Sequence, residues 1–520
     1  ERKKGIVDTF LEAPSGASWI SDVTHFVANA LKHSYAKLSL FQQFQTLCTR
    51  LRQRLQQTRL AFLLPPKARA KGRFLGVSRQ VEWGLRAPLA AIAQSQLLLL
   101  VGCDITEEYP IAWLRMKQAV DGGARLYAIH PRPLEVSRFL AGSLIHAPGA
   151  EGAILQQVAA GLGGKSLKAS LLREAEVDPK AVAALVEDLR RATRPMVFLG
   201  RSALEGAAGS GILHAAQRLQ AAGCMIHIMR GKGNALGAAL VGVLPGPGGW
   251  TAPEIVRQVA GGALDVLYVL GADPATEIPD RRAWAAAREA TPFLVVHDLF
   301  LTETARAADV VLPALTYAEK DGTVTNLEGR IQRIQAAVRG PGEARSDARI
   351  LGDLAARLGA VWSYGSWEEI FQDARRVVPG LAVDAILTPP PLAGKWAADG
   401  ALPARPGELV LLTGEALFDR GSMTSRSPAI ADLAGTPDLW VHPADAARSG
   451  ARDGDLVEVS AVEVSTGDAH LVLRARITEA VPRGAVYLPR GFDAVPVNRL
   501  LQWDQPLVAV TVTPIQAAGP

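Results

Sequence analysis

Two short apolar runs, each ending in Gly-x-Asp, most constrain how this chain can fold. The first is 96-QLLLLVGCD-104, and the second lies within 264-LDVLYVLGADPATEIPD-280. A continuous apolar run of this length is typical of a strand buried on both faces of a parallel sheet. A glutamate and a proline follow both turns, which favours two copies of one strand-turn-helix unit; chance similarity of two strand ends is the alternative.

The segments after each run predict alternating helices and strands. Residues 107–123 predict an amphipathic helix ending in glycines, and residues 124–133 predict the next strand, which completes a β-α-β unit. A second alternation starts at 195-PMVFLG-200 and continues through 211–223, 224–231 and 264–280 to 292–314. The pattern predicts an α/β protein with two Rossmann-like, doubly wound parallel-sheet domains.

The pattern changes after the proline-rich stretch 388–406. Short alternating strands are predicted at 409–414, 454–461, 470–478 and 485–491, with Gly, Asp and Pro turns between them, which indicates a compact β-barrel or sandwich. The predicted domains are therefore 1–90 (unassigned, partly helical over 24–55, and basic), 91–190 and 191–387 (both Rossmann-like), 388–406 (linker) and 407–520 (barrel).

Composition excludes several classes of protein. With 48% apolar and 21% charged residues in 520, the chain has the profile of an ordinary globular protein. Ten basic residues against one acidic residue lie between Arg50 and Arg86. Such a run suits nucleic acid, anionic lipid or an acidic partner, but no aromatic stacking pattern accompanies it, which favours a solvated helix face. No apolar run approaches the roughly 18 residues of a membrane helix.

The cysteines and histidines give no metal pattern. Cys48, Cys103 and Cys224 form no C-x-x-C, so this chain cannot alone supply four cysteines to an iron-sulfur cluster or zinc ion, and so few cysteines suit a reducing compartment. His130, His297 and His442 lie near predicted strand ends without metal-ligand spacing, and we interpret them as structural. G-x-G-x-x-G, G-x-S-x-G and P-loop motifs are absent, so no nicotinamide dinucleotide is predicted.

The segment 309-DVVLPALTYAEKDGTVTNLEGRIQ-332 places a long polar stretch after an apolar strand. Gly322 and Gly329 predict tight turns, and Glu319, Asn326 and Arg330 can brace the loop through hydrogen bonds. With 102-GCDITEEYP-110, 130-HPRP-133, 242-GVLPG-246, 441–460 and 487-YLPRGFDAVPVNRL-500, this segment resembles the molybdopterin oxidoreductase superfamily. Within it, the chain most resembles the family of G-type subunits of bacterial NADH-quinone oxidoreductase, respiratory complex I, over roughly residues 91 to 515.

The resemblance implies two Rossmann-like domains followed by a barrel of the double-psi type. It also implies which positions face a bis-pterin cofactor where one is bound. These are Gly102, Asp104, Gly271, Asp273, Glu319, Gly322, Thr323, Asn326, Arg330 and Asn498. Thr304, Asp309, Pro313, Glu328 and Gly329 also match the family pattern around them.

Departures from the family shape the functional prediction. The C-x-x-C-x-x-x-C type module and the further cluster cysteines of the G-type subunits are not found in this sequence, and Cys48 in FQTLCTRLRQ does not match a molybdenum ligand. We therefore expect a fragment or a degenerate member without catalytic or metal-binding residues. Molybdopterin remains possible, and iron-sulfur clusters are expected in partner subunits or in amino-terminal modules missing from this sequence.

The predicted function is a scaffold in the peripheral arm of complex I that supports electron transfer from NADH to quinone. Its partners would be other peripheral-arm subunits, with no nucleic acid. It would lie on the cytoplasmic side of the bacterial inner membrane, held there only through the complex. The alternative is an active molybdopterin-dependent oxidoreductase, such as a formate dehydrogenase-like catalytic subunit.

Overall fold

The structure is a computed structural model. It describes residues 84–515, with gaps at 206–208, 230–232, 244, 246–248, 361, 363, 390, 395, 398–408, 418–422, 428–436, 463–468, 493–494, 504 and 506. The helix predicted over 24–55, Cys48 and most of the basic run lie outside these residues. The chain forms two compact units: the first contains residues 84–236, 327–329 and 388–515, and the second contains 237–326 and 330–387.

A five-stranded parallel sheet with the order β3-β2-β1-β4-β5 is the centre of the first unit. Its strands are β1 (Leu97–Val101), β2 (Arg125–His130), β3 (Leu140–Ile145), β4 (Pro195–Leu199) and β5 (Met225–Ile228). The helices are α1 (Leu89–Ile92), α2 (Ile105–Glu108), α3 (Pro110–Asp121), α4 (Glu151–Leu162), α5 (Ala169–Glu174), α6 (Pro179–Arg191), α7 (Arg201–Glu205) and α8 (Gly209–Ala221).

The apolar run of β1 contributes to a hydrophobic core on each face of this sheet. Leu97, Leu99 and Val101 pack with residues of α4, α6 and α8, whereas Leu98 and Leu100 pack with residues of α1 and α3. Each such side chain contributes roughly 1.5 to 3 kcal/mol when it is fully buried. Burial on both faces explains why the run is continuous rather than alternating.

The same unit contains a closed six-stranded barrel with the order β11-β15-β12-β14-β13-β16. Its elements are β11 (Leu409–Gly414), β12 (Leu439–Val441), α16 (Pro443–Ser449), β13 (Leu456–Ala461), β14 (His470–Ile477), β15 (Ala485–Pro489) and β16 (Ala509–Pro514). In β14, Leu471, Leu473 and Ala475 are buried and alternate with exposed residues, as expected for strands with one face in a barrel core. The predicted fold class, parallel-sheet α/β domains followed by a barrel, is confirmed.

The second unit has a three-stranded parallel sheet, β6-β7-β8, and a separate hairpin, β9-β10. Its elements are α9 (Ala235–Leu240, begun in the first unit), α10 (Ala252–Ala260), β6 (Val266–Leu270), α11 (Pro274–Glu277), α12 (Arg281–Ala290), β7 (Phe293–Asp298), α13 (Glu303–Arg306), β8 (Val310–Pro313), β9 (Gly322–Thr325), β10 (Ile331–Ile334), α14 (Asp347–Arg357) and α15 (Trp367–Val377).

Two strands predicted to begin the second alternation belong to the first sheet. β4 pairs directly with β1, with Val197 opposite Leu99, and β5 pairs with β4. All five residues of β4 are buried, so its place between two other strands accounts for its apolar sequence. The predicted domain boundaries remain predictions. None of the helices that the structure describes is long and apolar enough to cross a membrane.

Gly200 lies where β4 ends beside the turn after β1, and it generates the first prediction. A methyl group on its Cα would lie 1.9 Å from the carbonyl oxygen of Gly102. We expect Gly200→Ala to lower the free energy of unfolding by about 2 kcal/mol or more, because backbone on both sides would have to move. Urea denaturation of the variant and the wild type measures this loss of unfolding free energy.

The matched control is Gly163→Ala, whose methyl group would meet its nearest neighbour at an ordinary 3.4 Å. This control should stay within about 0.5 kcal/mol of the wild type. Equal stability of the two variants would contradict the close approach of the two turns.

Candidate functional site at the carboxyl ends of the parallel strands

Both Gly-x-Asp turns adopt the same backbone conformation. Gly102 and Gly271 have φ angles of 53° and 59°, in the left-handed region that favours glycine. Each glycine N–H donates to a carbonyl oxygen of the neighbouring strand, at 3.0 and 2.8 Å respectively. Asp104 and Asp273 then occupy the N-cap positions of α2 and α11. The predicted cofactor-facing residues of these turns therefore occupy equivalent positions, one pair in each unit.

In the first unit, the carboxylate of Asp104 forms a buried ion pair with Arg132. Both side chains are only 8% exposed. Arg132 Nη1 also donates to the carbonyl oxygen of Pro133 at 3.2 Å. The guanidinium carbon lies 4.4 Å from the ring centre of Tyr487 in β15 and 5.7 Å from that of Trp440 in β12. One cation therefore links the β1 turn to the barrel.

His130, the last residue of β2, is held beside this ion pair. The N–H of Arg132 donates to His130 Nδ1 at 3.2 Å. Burial lowers the pKa of His130 well below its usual value, and the Arg132 charge lowers it further, so the imidazole is neutral at pH 7. Dinucleotide-binding sheets commonly have a carboxylate in this region, which accepts a hydrogen bond from a ribose hydroxyl. This chain has a neutral histidine engaged with its own backbone instead.

A second charge cluster lies where the turns after β4, β11 and β15 meet. Arg201 Nη1 is 3.1 Å from Glu415 Oε1, and Arg490 Nη2 is 3.7 Å from the same oxygen. Glu107 Oε2 accepts a hydrogen bond from the N–H of Leu417 at 2.8 Å. These turns and the turn after β1 define what we call the β1–β4 crevice. Open α/β sheets bind ligands at this topological switch point.

Glu108 lies in the same crevice and interacts with the β1 turn. Its Oε1 accepts a hydrogen bond from the N–H of Asp104 at 3.1 Å. Burial raises the pKa of Glu108 to about 7; the Asp104 hydrogen bond opposes this rise, whereas the Asp104 and Glu415 carboxylates add to it and Arg490 opposes it. At pH 7 the crevice therefore holds a carboxyl group that is partly protonated.

In the second unit, Asp273 is bound by its own framework. Its Oδ1 accepts hydrogen bonds from Thr304 N and Oγ1 at 3.0 and 2.5 Å, and Thr304 Oγ1 in turn accepts one from Ala275 N at 3.1 Å. Asp273 and Thr304 are both buried. The carboxylate therefore orders the turn after β6 and the start of α13.

A chain of polar groups, of which only His297 is buried, extends from the end of β7. His297 Nδ1 is 3.1 Å from the hydroxyl of Tyr268, and His297 Nε2 is 3.0 Å from Asp347 Oδ1. Asp347 also pairs with Lys320. Burial pushes the pKa of Asp347 upward, but hydrogen bonds and charges from His297 and Lys320 outweigh this effect and lower the pKa to about 2.

The polar segment after β8 uses several of its side chains to satisfy its own backbone. Glu319 Oε2 accepts from Thr316 N at 3.0 Å, and Asn326 Oδ1 accepts from Arg330 N at 2.9 Å. Gly329 makes the predicted tight turn at φ 83°.

One prediction for this segment is wrong, and another of its residues contacts the first unit. Gly322 is not at a turn: together with Thr323 it begins β9, because the ladder with β10 extends to this residue. Glu328, assigned to the first unit, accepts from Leu89 N at 2.8 Å through its Oε2.

Asn498 lies apart from these turns in the sequence, within the 3-10 turn Val497–Arg499 of the barrel. Its side chain is buried, and Val497 and Leu500 on either side belong to the barrel core. It remains a predicted cofactor-facing residue.

Sequence reasoning missed the cations of the β1–β4 crevice. Arg132 lay in the HPRP motif without an assigned role, and Arg201 and Arg490 were not predicted as site residues, although Arg201 follows a predicted strand and Arg490 lies near the end of another. The usable signal was a charged residue directly after a buried strand, where parallel sheets place their ligands. Glu415, which also follows a strand end, would have been found in the same way.

The family model for Molybdopterin oxidoreductase matches residues 28–357, and the model for Molydopterin dinucleotide binding domain matches residues 409–514. The chain belongs to the molybdopterin oxidoreductase family. F420-dependent formate dehydrogenase 1 subunit alpha of Methanococcus maripaludis is 32% identical over 339 residues, which cover 54% of this chain and 49% of that protein. A G-type subunit of NADH-quinone oxidoreductase from Rhizobium meliloti is 28% identical over 478 residues, which cover 80% of this chain and 55% of that protein.

The chain spans about half the length of these two curated relatives. Among solved structures, acetylene hydratase from Pelobacter acetylenicus matches with a TM-score of 0.64 and 13% sequence identity, over 96% of this chain and 89% of the other. At that identity the likeness shows the fold of this molybdopterin oxidoreductase family member and nothing finer.

The β1–β4 crevice of this family member does not suit the phosphates of a dinucleotide as its side chains are arranged. A phosphate site needs N–H donors and cations that are available to the anion. Here the N–H of Asp104 is bound by Glu108, Arg132 is paired with Asp104, and Arg201 and Arg490 share Glu415. In the described part of the chain, no group of three or more His, Cys, Asp and Glu residues is arranged to hold a metal ion.

The raised pKa of Glu108 predicts a pH-dependent stability. Between its ordinary value of 4.5 and about 7, the folded chain keeps this proton while the unfolded chain loses it. Stability therefore falls as pH rises through this window, by at most about 3 kcal/mol. Glu108→Gln keeps an acceptor for Asp104 N–H and removes the ionisation, so its free energy of unfolding should fall less from about pH 5 to pH 8.

Urea denaturation from about pH 5 to pH 8 measures how the free energy of unfolding of each protein changes with pH. Glu479→Gln, at an exposed barrel position, is the control and should retain the wild-type pH dependence. Parallel pH profiles for Glu108→Gln and the wild type would contradict the assignment.

Thr304 and Thr276 offer a matched pair around Asp273. Thr304→Val removes a hydroxyl that donates to a buried carboxylate and should lower the free energy of unfolding by about 1 to 3 kcal/mol. Thr276→Val removes a hydroxyl that donates to the same carboxylate at 3.1 Å from a half-buried position, where water can substitute, and should cost less. Denaturation curves that rank the two variants in the opposite order would refute this role of Thr304.

Proposed function

We propose that this chain is a peripheral-arm subunit of a bacterial NADH-quinone oxidoreductase and supports electron transfer from NADH to quinone as a non-catalytic scaffold. The carrying observation is the charge balance of the β1–β4 crevice. Three guanidinium groups, from Arg132, Arg201 and Arg490, meet the four carboxyl groups of Asp104, Glu107, Glu108 and Glu415. The cations that an anionic cofactor would need are thus already paired.

The scaffold role is consistent with how the unit is built. The first sheet and the barrel are joined by Arg132, by the Arg201–Glu415 pair and by the hydrogen bond from Leu417 N to Glu107. A joint of this kind gives partner subunits a rigid surface, while iron-sulfur clusters in those partners carry the electrons. In this proposal the chain lies on the cytoplasmic side of the inner membrane and is attached there through the assembled complex. The alignment with a G-type subunit along 80% of the chain supports this role.

The second candidate is a molybdopterin-dependent oxidoreductase, such as a formate dehydrogenase-like catalytic subunit. The 32% identity to a formate dehydrogenase subunit alpha and the match to the Molydopterin dinucleotide binding domain at residues 409–514 favour it. This function would require Arg132, Arg201 or Arg490 to exchange its carboxylate partner for a cofactor phosphate.

Metal and pterin analysis of the native protein distinguishes the two candidates. The chain is purified from its own host through a small affinity tag, molybdenum and tungsten are measured by mass spectrometry, and pterin is measured by fluorescence after oxidative extraction. We expect neither metal at stoichiometric level and co-purification of other NADH-quinone oxidoreductase subunits.

An untagged strain carried through the same purification sets the background. Stoichiometric molybdenum or tungsten together with pterin would overturn the scaffold function. Purification without any subunit of that complex would also count against it.

A further inference from the structure

The outer side of α3 carries apolar side chains that are exposed. Ile111 is 61% exposed and Leu114 is 56% exposed, and their spacing of three residues places them on the same side of the helix. The opposite side of α3 packs into the core of the first unit through Ala112, Met116 and Ala119. A surface helix normally has polar residues on the side away from the core. The exposed apolar side of α3 therefore indicates a further contact.

An aromatic pair lies beside this apolar side. Trp113 of α3 packs against Phe139 of the 3-10 turn Glu135–Phe139, with ring centres 5.2 Å apart, and both side chains are half-buried. The guanidinium carbon of the exposed Arg138 lies 4.7 Å from the ring centre of Phe139. Stacking of this kind orients the planar guanidinium group, whose N–H groups match a carboxylate in pairs. Among the described residues, Glu135 forms no ion pair with Arg138.

Cations lie on both flanks of this surface. Arg115 Nη1 donates to Gln118 Oε1 at 3.1 Å, which holds one guanidinium group beside the apolar side of α3, and Arg138 lies on the other flank. In the described part of the chain, neither arginine forms an ion pair with a carboxylate. The carboxylate of Asp121, at the end of α3, is already paired with Lys117 at 2.6 Å. The surface thus presents two guanidinium groups that its own carboxylates do not neutralise.

We propose that this surface is a docking site for an acidic amphipathic helix of a different protein. The apolar stripe of that helix covers the exposed side of α3 and the aromatic pair, and carboxylates on its two flanks bind the two arginines. The docking site, which we call the α3 face, consists of Ile111, Trp113, Leu114, Arg115, Arg138 and Phe139.

Charge decides between the candidate occupants of the α3 face. A second copy of this chain, docked by the same face, would bring guanidinium groups against guanidinium groups. The chain's own segment before residue 84 contains most of the basic run between Arg50 and Arg86, which the cations of the face repel. An acidic helix of another protein meets both the apolar side chains and the charges. The inference does not depend on the proposed function, because either candidate function leaves the α3 face unchanged.

Photo-cross-linking in the chain's own host tests the α3 face. The photoreactive residue p-benzoylphenylalanine replaces Leu114 in the full chain, the cells are irradiated, and mass spectrometry identifies the cross-linked peptides after purification. We expect one dominant cross-link, to a helix of a different protein whose apolar stripe is flanked by Asp or Glu on both sides. The control places the same photoreactive residue at Val472, an exposed position of β14, and should give no dominant cross-link.

Charge reversal separates specific recognition from chance proximity. Arg138→Glu, added to the chain that carries the photoreactive residue, places a carboxylate where the partner's carboxylate binds, and should lower the yield of the cross-link about tenfold or more. Arg115→Glu, on the other flank, should also lower the yield. The matched control is Arg173→Glu, at an exposed position of α5, which packs on the other face of the sheet; it should leave the yield unchanged.

Several results would overturn the docking site. They are a dominant cross-link to a second copy of this chain, to its own residues 1–83 or to a segment without carboxylates, and the absence of any cross-link above the Val472 control. An unchanged yield in both Arg138→Glu and Arg115→Glu would also overturn it. These results are separate from the proposed function, because molybdenum in the wild-type protein rejects the scaffold whether or not a helix docks on the α3 face.

Discussion

The buried ion pair of Arg132 and Asp104 is the interaction on which the rest of the first unit depends. Removing two charges from water is costly, and the cost is offset only when close geometry and further hydrogen bonds satisfy both groups. Arg132 meets this condition by binding Asp104 and the Pro133 carbonyl and by stacking on Tyr487. The ion pair fixes the turn after β1. The N–H of Asp104 in this turn then holds the carboxyl group of Glu108 by a hydrogen bond.

Local sequence patterns were sufficient to predict many of the strands but few of the helices. β1 lies within the predicted run 96–104, and β11 matches the predicted strand 409–414. Both were predictable because a buried strand needs consecutive apolar residues. The assignment of strands to sheets was harder. β4 follows β1 by almost a hundred residues yet pairs with it in register, and no local pattern states which parallel strand is the neighbour. The prediction therefore placed β4 and β5 with the second alternation, whereas the structure has them in the first sheet.

The candidate site shows the same division between local and long-range information. Gly102 and Gly271 were predictable, because a glycine after a buried strand marks a turn that needs a positive φ angle. The Arg201–Glu415 pair joins residues 214 positions apart. Its partners come together only because the barrel packs on the carboxyl end of the sheet, so the charge balance of the crevice was not accessible from sequence.

The polar segment after β8 is held in place by contacts within the chain itself. Glu319 and Asn326 accept hydrogen bonds from backbone N–H groups, and Lys320 neutralises an Asp347 that also binds the buried His297. Replacing any of these side chains by an apolar one would leave a donor or a charge without its partner, and that penalty exceeds what the bond itself contributes. The segment is therefore constrained by the second unit's own stability. Its presence identifies the fold, whereas the proposed scaffold function rests on the arginines and carboxylates of the β1–β4 crevice.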